Sequence, residues 1–237
     1  MKIEFKKVFA ATLSLLFIAA SFIISSKGYE MRLANANALN NRVIIIDAGH
    51  GGFDGGAQAA DGTVEKDINL QIAKNLEQIL TFCDFEVIMT RSVDSGTEDN
   101  PGDSIKDRKV SDMKNRLSLT EKYPTAKFVS IHLNKFTTSS VSGAQVFYSK
   151  NNELSRPLAE SIQNSIVTFL QPDNERVVKQ GTSSTYLLHK TKIPAVIVEC
   201  GFLSNADELK LLKSEEYQRQ MAFAIFCGIC DYYNKGS

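Results

Sequence analysis

Short apolar runs alternate along the chain with segments whose apolar residues recur every three or four positions. The run at residues 43–46 (VIII) has four β-branched or aliphatic residues in succession, which is typical of a strand buried on both faces of a parallel sheet. Further strands are predicted at 85–91, 127–134, 143–148 and 195–199. Helical spacing predicts one helix after the glycine-rich loop that follows the first strand, and further helices at 113–123 and 154–170. Two more helices are predicted to begin at Asn205 and Ser214.

The helix after the first strand has an apolar stripe of Ile68, Ile72, Leu76 and Ile79. Asp61 or Thr63 is expected to cap its amino terminus. In the later helix, Asn205 and Glu208 have the spacing of a capping box. Between the second strand and the helix at 113–123, residues 92–110 are charged and contain glycine and Pro101-Gly102, so a long surface loop is predicted.

Polar residues that could take part in catalysis or metal binding stand where three of the predicted strands end. The first run stops at Asp47 and is followed by His50 among glycines. The run at 127–134 has His132 among its last three residues. Glu199 ends the run that begins at Ala195. In open α/β sheets the crevice beyond the carboxyl ends of the strands is the usual place for chemistry. For the segment around His50 alone, a tight turn with an exposed histidine is an equally good interpretation.

A fourth polar residue, Glu65, lies at the predicted helix start where the glycine-rich loop after His50 returns. Acidic residues there usually interact with the helix dipole, and that explanation suits the nearby Asp67. Two histidines and one carboxylate form a ligand set of catalytic zinc sites, which keep one coordination position open for water. A second carboxylate that is not a ligand would take a proton from water and pass it to the leaving amine.

Four motifs, in this order, are specific to one family: DAGHGG at 47–52, EKDINL at 65–70, SIHLN at 130–134 and ECGFLSN at 199–205. They closely resemble those of the zinc-dependent N-acetylmuramoyl-L-alanine amidases, which cleave peptidoglycan. The resemblance extends from about Arg42 to Tyr233. It implies an α/β fold, a three-layer αβα sandwich with a twisted, mostly parallel six-stranded sheet.

The same resemblance implies roles for individual residues. His50, Glu65 and His132 match the family's Zn²⁺ ligands, and Glu199 matches its general acid/base. Arg116 stands where the family usually has an arginine, to which no chemical role is assigned. His189, the remaining histidine, is not expected to be a ligand, because a fourth protein ligand would close the coordination shell.

A single catalytic domain without a wall-binding repeat resembles the germination-specific, spore-cortex members of the family. Those enzymes remove peptides from muramic acid so that muramic lactam can form, which implies peptidoglycan as the partner and a role in sporulation. Family members are often controlled by other proteins, and the loop at 92–110 is one place where an activator or regulator would gate access.

Residues 1–27 are predicted to form an export signal or a membrane anchor. Three lysines precede residues 8–26, which contain no charge and are about as long as a membrane span. Small-residue cleavage patterns occur at 34–38, and both cleavage and retention are consistent with the sequence. Residues 28–41 are then a linker and 42–237 the catalytic domain, located outside the cytoplasm at the cell or forespore surface.

Charge and cysteine content narrow the classes of function. The first 27 residues hold four bases and one acid, so the remaining residues carry 23 bases against 26 acids. Nucleic acid is therefore not expected as a partner, since phosphate neutralisation needs clustered Lys and Arg. Four scattered cysteines do not suggest a disulfide scaffold, and Cys200 is expected to be a small buried hydrophobe.

Two other functions compete with the amidase. A zinc carboxypeptidase-like enzyme would use similar ligands but would release amino acids from the stem peptide. A wall-binding protein with a degenerate site would need no metal, and the intact set of His50, Glu65, His132 and Glu199 argues against it.

Overall fold

The computed structural model describes residues 42–235. Its strands are β1 (Val43–Ala48), β2 (Glu86–Met89), β3 (Lys127–Asn134), β4 (Gln145–Tyr148), β5 (Lys179–Gln180) and β6 (Ala195–Phe202). Its helices are α1 (Glu65–Phe82), α2 (Ile105–Lys122), α3 (Ser155–Phe169), α4 (Tyr186–Lys190), α5 (Ala206–Leu212) and α6 (Glu215–Asn234). None of these helices combines the length and the apolar character needed to cross a membrane. The predicted signal or anchor and the linker lie outside the described residues.

The six strands form one sheet in the order β2-β1-β3-β6-β4-β5. All neighbours are parallel except β4 and β6, which are antiparallel. Asp47 on β1 lies opposite Ser130 on β3, and His132 on β3 lies opposite Glu199 on β6. The carboxyl ends of the three central strands therefore meet at one edge, and the predicted α/β fold with a mostly parallel six-stranded sheet is confirmed.

Alternation along the strands divides the apolar side chains between two faces. Ile44 and Ile46 face a core that is completed by α1, α3 and α6, whereas Val43 and Ile45 face a smaller core that includes residues of α2 and α4. Helices on both faces of the sheet give the predicted three layers. Cys200 is fully buried in the larger core, as expected of a small hydrophobic residue.

The helix predicted at 113–123 begins earlier, at Ile105, so the loop predicted at 92–110 is shorter than expected. Ser104 caps this helix, since its hydroxyl accepts a hydrogen bond from the Asp107 N–H at 3.3 Å. The first two turns of α2 are mostly charged and polar. They carry no apolar stripe, which is why the periodicity of the sequence did not include them.

The prediction that Asp61 or Thr63 caps α1 is wrong. The N-cap residue is Val64, which has no capping side chain. The first amides of the helix instead donate to the returning loop, Glu65 N–H to the Ala57 carbonyl at 2.9 Å and Lys66 N–H to the Gly55 carbonyl at 3.2 Å. Backbone carbonyls therefore replace the capping side chain and tie the start of α1 to the loop that follows His50.

The predicted capping box of α5 is only half correct. Asn205 Oδ1 accepts from the N–H groups of Asp207 and Glu208 at 3.1 and 3.0 Å. The Glu208 carboxylate does not reach back to Asn205 and accepts instead from the Gly143 and Phe202 N–H groups at 2.9 and 2.8 Å. The acidic residue thus connects the start of α5 to β6 and to the segment before β4.

Candidate active site

Three ionisable side chains converge at the carboxyl edge of the sheet. His50 follows β1, Glu65 begins α1 and His132 is on β3; one candidate ligand atom from each lies within 4.8 Å of the others. Glu65 Oε1 is 3.0 Å from His132 Nδ1, and Glu65 Oε2 is 3.3 Å from His50 Nε2. The two imidazole rings lie edge to face with their centroids 5.0 Å apart. The side chains that the sequence singled out are therefore brought together around one point.

Glu65 is fixed by donors on several sides. Its Oε2 accepts from the Ala57 N–H at 2.8 Å, and its Oε1 accepts from the Leu133 N–H at 3.1 Å and from Asn69 Nδ2 at 3.2 Å. Burial opposes ionisation of Glu65, but hydrogen bonds and charges from His132 and His50 hold its pKa below the ordinary value. Glu65 is therefore an ionised carboxylate with little freedom to move.

His50 is oriented by a carboxylate that sequence reasoning missed. Asp54 Oδ2 lies 2.8 Å from His50 Nδ1, and Asp54 Oδ1 lies 3.1 Å from Lys109 Nζ. Burial opposes the charged form of His50, but hydrogen bonds with Asp54 and Glu65 raise its pKa to about 9. The bond to Nδ1 leaves Nε2 facing Glu65. The available signal was an acidic residue four positions after the histidine in a glycine-rich loop.

Glu199 lines the same cavity as His50 and His132. Burial raises the pKa of its carboxyl group, and the nearby charge of Glu65 adds to the increase. Among the described residues it forms no ion pair, and its Oε2 is buried without a hydrogen-bond partner. A buried carboxylate oxygen without a partner is costly. It is explained most simply as an acceptor reserved for a bound molecule.

The cavity has a volume of about 270 Å³ and a mixed lining. His50, His132 and Glu199 contribute ionisable groups to it. The lining also includes the apolar side chains of Met113 on α2 and Leu187 on α4. The cavity can therefore contact both polar and apolar parts of a bound molecule.

Two glycines allow the backbone to approach these side chains. A Cβ at Gly49 would collide with the His132 ring, and a Cβ at Gly56 would lie 2.6 Å from both Glu65 Oε2 and His50 Cδ2. Gly56 also has a φ of +71°, which disfavours other residues. The glycines of the loop therefore leave room for the converging side chains.

Behind His50 lies a buried ion network that includes Arg116. Its Nη1 donates to Asp47 Oδ1 at 2.6 Å and its Nε donates to Asp112 Oδ2 at 2.7 Å. Burial disfavours the charge on Asp47, but the Arg116 guanidinium holds the Asp47 pKa below its ordinary value. Asp47 also accepts from the hydroxyls of Thr90 and Ser130 at 2.8 and 2.5 Å.

Comparison with known proteins agrees with this geometry. The profile of the N-acetylmuramoyl-L-alanine amidase family matches residues 44–231. The chain belongs to this family. It is therefore an amidase, a hydrolase, and the resemblance inferred from the four motifs is confirmed.

Three similar proteins, one from sequence and two from solved structures, are named as amidases. The germination-specific N-acetylmuramoyl-L-alanine amidase of Bacillus subtilis is 32% identical over 83% of this chain and 82% of its own length. The CwlD amidase from Clostridioides difficile, solved in complex with the GerS lipoprotein, is 40% identical with a TM-score of 0.78, over 82% of this chain and 99% of that chain. AmiC2 of Nostoc punctiforme is 31% identical with a TM-score of 0.71, over 82% and 98%.

The donor set of this amidase fits a zinc ion. Two imidazoles and one carboxylate make up a known catalytic zinc set that leaves a position open. His189 does not belong to the cluster of His50, Glu65 and His132 and lies on α4.

Proposed function

We propose that this amidase is zinc-dependent and hydrolyses the amide bond between N-acetylmuramic acid and L-alanine of peptidoglycan stem peptides. The observation that carries the proposal is the convergence of His50, Glu65 and His132 beside the unpartnered buried oxygen of Glu199. Each residue has a bland explanation when taken alone. Their convergence at one edge of the sheet, with His50, His132 and Glu199 lining one cavity, supports a hydrolytic site.

His50, Glu65 and His132 would hold the zinc ion. Bound zinc would polarise the scissile carbonyl and make water a better acid. Asp54 keeps His50 in the orientation in which Nε2 faces the other ligands, and the backbone amides of Ala57 and Leu133 keep Glu65 in place. With zinc bound, the two imidazoles would be neutral donors and Glu65 the charged one, since metal binding displaces the proton that His50 otherwise holds.

Glu199 would move the proton. Its buried carboxylate accepts a proton from the attacking water and then delivers it to the amine nitrogen of L-alanine as the C–N bond breaks. The products are the carboxylate of the lactyl group of muramic acid and a free alanine amino terminus. Burial raises the pKa of this carboxyl group, which makes the carboxylate a stronger base toward the attacking water, while its conjugate acid remains able to protonate the leaving amine.

The finer biological assignment is cortex maturation in the spore. It is supported by the germination-specific relative and by CwlD, which both match more than four fifths of this chain. The GerS lipoprotein bound to CwlD supports a protein regulator for this chain as well. Residues 1–27 would carry the domain across the cytoplasmic membrane, as a cleaved signal or as an anchor, to an extracytoplasmic location.

Digestion of purified peptidoglycan with and without a chelator tests the activity. New alanine amino termini without new reducing sugar ends are expected, and the chelator should abolish them until zinc is restored. Release of free amino acids from the stem would favour the carboxypeptidase-like alternative instead. Muramic lactam, measured in spores with and without the active protein, tests the cortex assignment.

A further inference from the structure

Two buried arginines hold three consecutive carbonyl groups of the loop that carries His50. Arg116 donates from Nη1 to the Ala48 carbonyl at 3.0 Å and from Nη2 to the His50 carbonyl at 2.7 Å. Arg91 donates from Nε to the Ala48 carbonyl at 2.8 Å and from Nη2 to the Gly49 carbonyl at 3.0 Å. The backbone from the end of β1 to His50 is therefore held by four hydrogen bonds from the two guanidinium groups.

The backbone from His50 to Gly52 has a conformation that it would not adopt readily without these hydrogen bonds. His50 has a φ of +61°, and Gly51 and Gly52 follow with φ values of +135° and +53°. A positive φ is uncommon for a residue with a side chain, and such strain persists only where the surroundings determine it. The hydrogen bond from Arg116 to the His50 carbonyl restrains the peptide plane after the strained residue, and thus the backbone from which the imidazole projects.

Arg91 also connects this loop to the segment that bears Glu65. The same Nη2 atom that reaches Gly49 donates to the Lys66 carbonyl at 2.8 Å, one residue after Glu65. Asn69 makes a parallel link, since its Nδ2 donates to the Gly49 carbonyl and to Glu65 Oε1, both at 3.2 Å. The separation of His50 and Glu65 is therefore set by two side chains, Arg91 and Asn69, each of which donates to both segments.

This arrangement is poorly explained as a source of stability. Arg91 is 4% exposed and Arg116 is 1% exposed, and both guanidiniums donate to the same Ala48 carbonyl. Within residues 42–235, the hydrogen bonds of Arg91 go to carbonyls alone, and its own burial and the charge of Arg116 lower the Arg91 pKa. Buried charges often contribute little net stability, because desolvation offsets the attraction. The presence of two buried arginines beside this loop is better explained by the fixed geometry that they impose on its backbone.

We propose that Arg91 and Arg116 are positioning residues of the metal site, which set the orientation of His50 and its distance from Glu65. The inference rests on the proposed function, in which these side chains are metal ligands. Arginine suits the task because its planar fork holds several acceptors in fixed directions, whereas lysine is a flexible point charge. A lysine at either position would keep the charge but could not bridge the same carbonyls.

The test uses the full chain with Arg116→Lys and, separately, Arg91→Lys. The zinc dissociation constant is measured by competition with a chromogenic chelator, at a temperature where circular dichroism shows each variant to be folded. Zinc affinity should weaken about 10- to 100-fold, as is typical when supporting groups of a metal site are lost. In the metal-free protein, amide hydrogen exchange should accelerate at Gly49 and Gly51, whose N–H groups donate to Ile131 and Asp54 carbonyls.

Ile225→Val is the matched control. Ile225 is fully buried on α6 in the core on the other face of the sheet, so its loss of a methylene lowers stability without touching the loop. The control should keep the wild-type zinc affinity and the wild-type exchange at Gly49 and Gly51. Equal changes in the control and the arginine variants would reduce the arginines to structural residues and overturn the proposal.

Asp112→Asn provides a second variant should the lysine variants fail to fold. The amide keeps the shape of the partner that orients Arg116 and removes its charge, so a smaller loss of affinity and faster exchange at Gly49 are expected. Folded variants with wild-type affinity and exchange contradict the positioning role. If the wild-type chain binds no zinc, the proposed function fails, while unchanged or accelerated exchange at Gly49 and Gly51 still decides whether the arginines hold the loop.

Discussion

The two helical layers that cover the sheet differ in how they are attached to it. On one face, α1, α3 and α6 bury aliphatic side chains such as Ile72, Leu76 and Ile225. On the other face, Leu187 and Leu188 of α4 join a smaller apolar core, but the buried residues of α2 are the polar Asp112, Arg116 and Thr120. The first layer is held by burial of apolar surface, which has no preferred direction. In the second layer, α2 adds hydrogen bonds and ion pairs to its apolar contacts, and these polar interactions are directional.

The difference explains where the cavity can form. Close packing of aliphatic side chains leaves few voids, and the first layer packs on the sheet through fully buried residues such as Ile72 and Leu76. The second layer is attached through Arg116 at the end of β1 and leaves a space between α2, α4 and the strand ends. Substitutions in the first layer should therefore change stability, and substitutions around the cavity should change chemistry or metal binding.

The largest effect is expected from Glu199→Gln, which removes the proton acceptor and keeps the shape of the side chain. Turnover should fall by about 10²- to 10⁴-fold, the usual contribution of a general acid/base. Zinc content and the unfolding transition should stay near those of the wild type. Steady-state kinetics on peptidoglycan, with zinc determined by mass spectrometry, measure both.

Glu65→Gln is the matched comparison, since it alters the carboxylate that lies between the two histidines of the site. It should weaken zinc binding itself, because a charged donor that lies near both His50 and His132 is lost. If Glu199→Gln loses zinc while Glu65→Gln retains it, the two carboxylates have been assigned in reverse.

Leu76→Ala tests the aliphatic layer. Leu76 is fully buried between α1 and the sheet, and truncating such a residue costs about 2–5 kcal/mol in the free energy of unfolding. The catalytic rate per folded molecule should be unchanged. Denaturant titration and kinetics at low temperature separate the two quantities. A fall in rate without a loss of stability would show that the layers are not independent.

Much of the site could be predicted because strand ends are visible in the sequence. Apolar runs mark where β1, β3 and β6 lie, and polar residues that end or follow such runs must come to the same edge of a parallel sheet. His50, His132 and Glu199 were found in this way. Glu65 was found because the loop after His50 has to return at the start of a helix.

The supporting residues could not be predicted because their partners are distant in the sequence. Arg116 acts on the His50 carbonyl, 66 residues away, and no local pattern indicates that contact. The short elements β5 and α4 were missed because two and five residues are too few to show a period. The capping of α1 was misassigned because backbone carbonyls of the preceding loop do the work of a side chain.

Asp54→Asn probes the exposed side of the same polar network. The amide can keep one hydrogen bond to His50 Nδ1 but carries no charge, so the bond that orients the imidazole becomes weaker. Zinc affinity should fall about 10- to 100-fold, the usual effect of losing such a carboxylate. Chelator competition measures this loss, and Asp61→Asn, which removes an exposed carboxylate paired with Lys213, serves as the control. Equal affinities for the two variants would contradict an orienting role for Asp54.

The smallest effect is expected from His189→Ala, which tests whether the only histidine of α4 contributes to the metal site. Tyr186 and Leu187 line the cavity, but His189 does not, and the hydrogen bond at this position is made by its backbone carbonyl with Asn151 Nδ2. Alanine keeps that carbonyl. Zinc stoichiometry should be unchanged and the free energy of unfolding should shift by no more than about 0.5 kcal/mol. His132→Ala, measured in parallel, should lose zinc; an equal loss from His189→Ala would mean that α4 supplies a fourth ligand and that the site is closed to water.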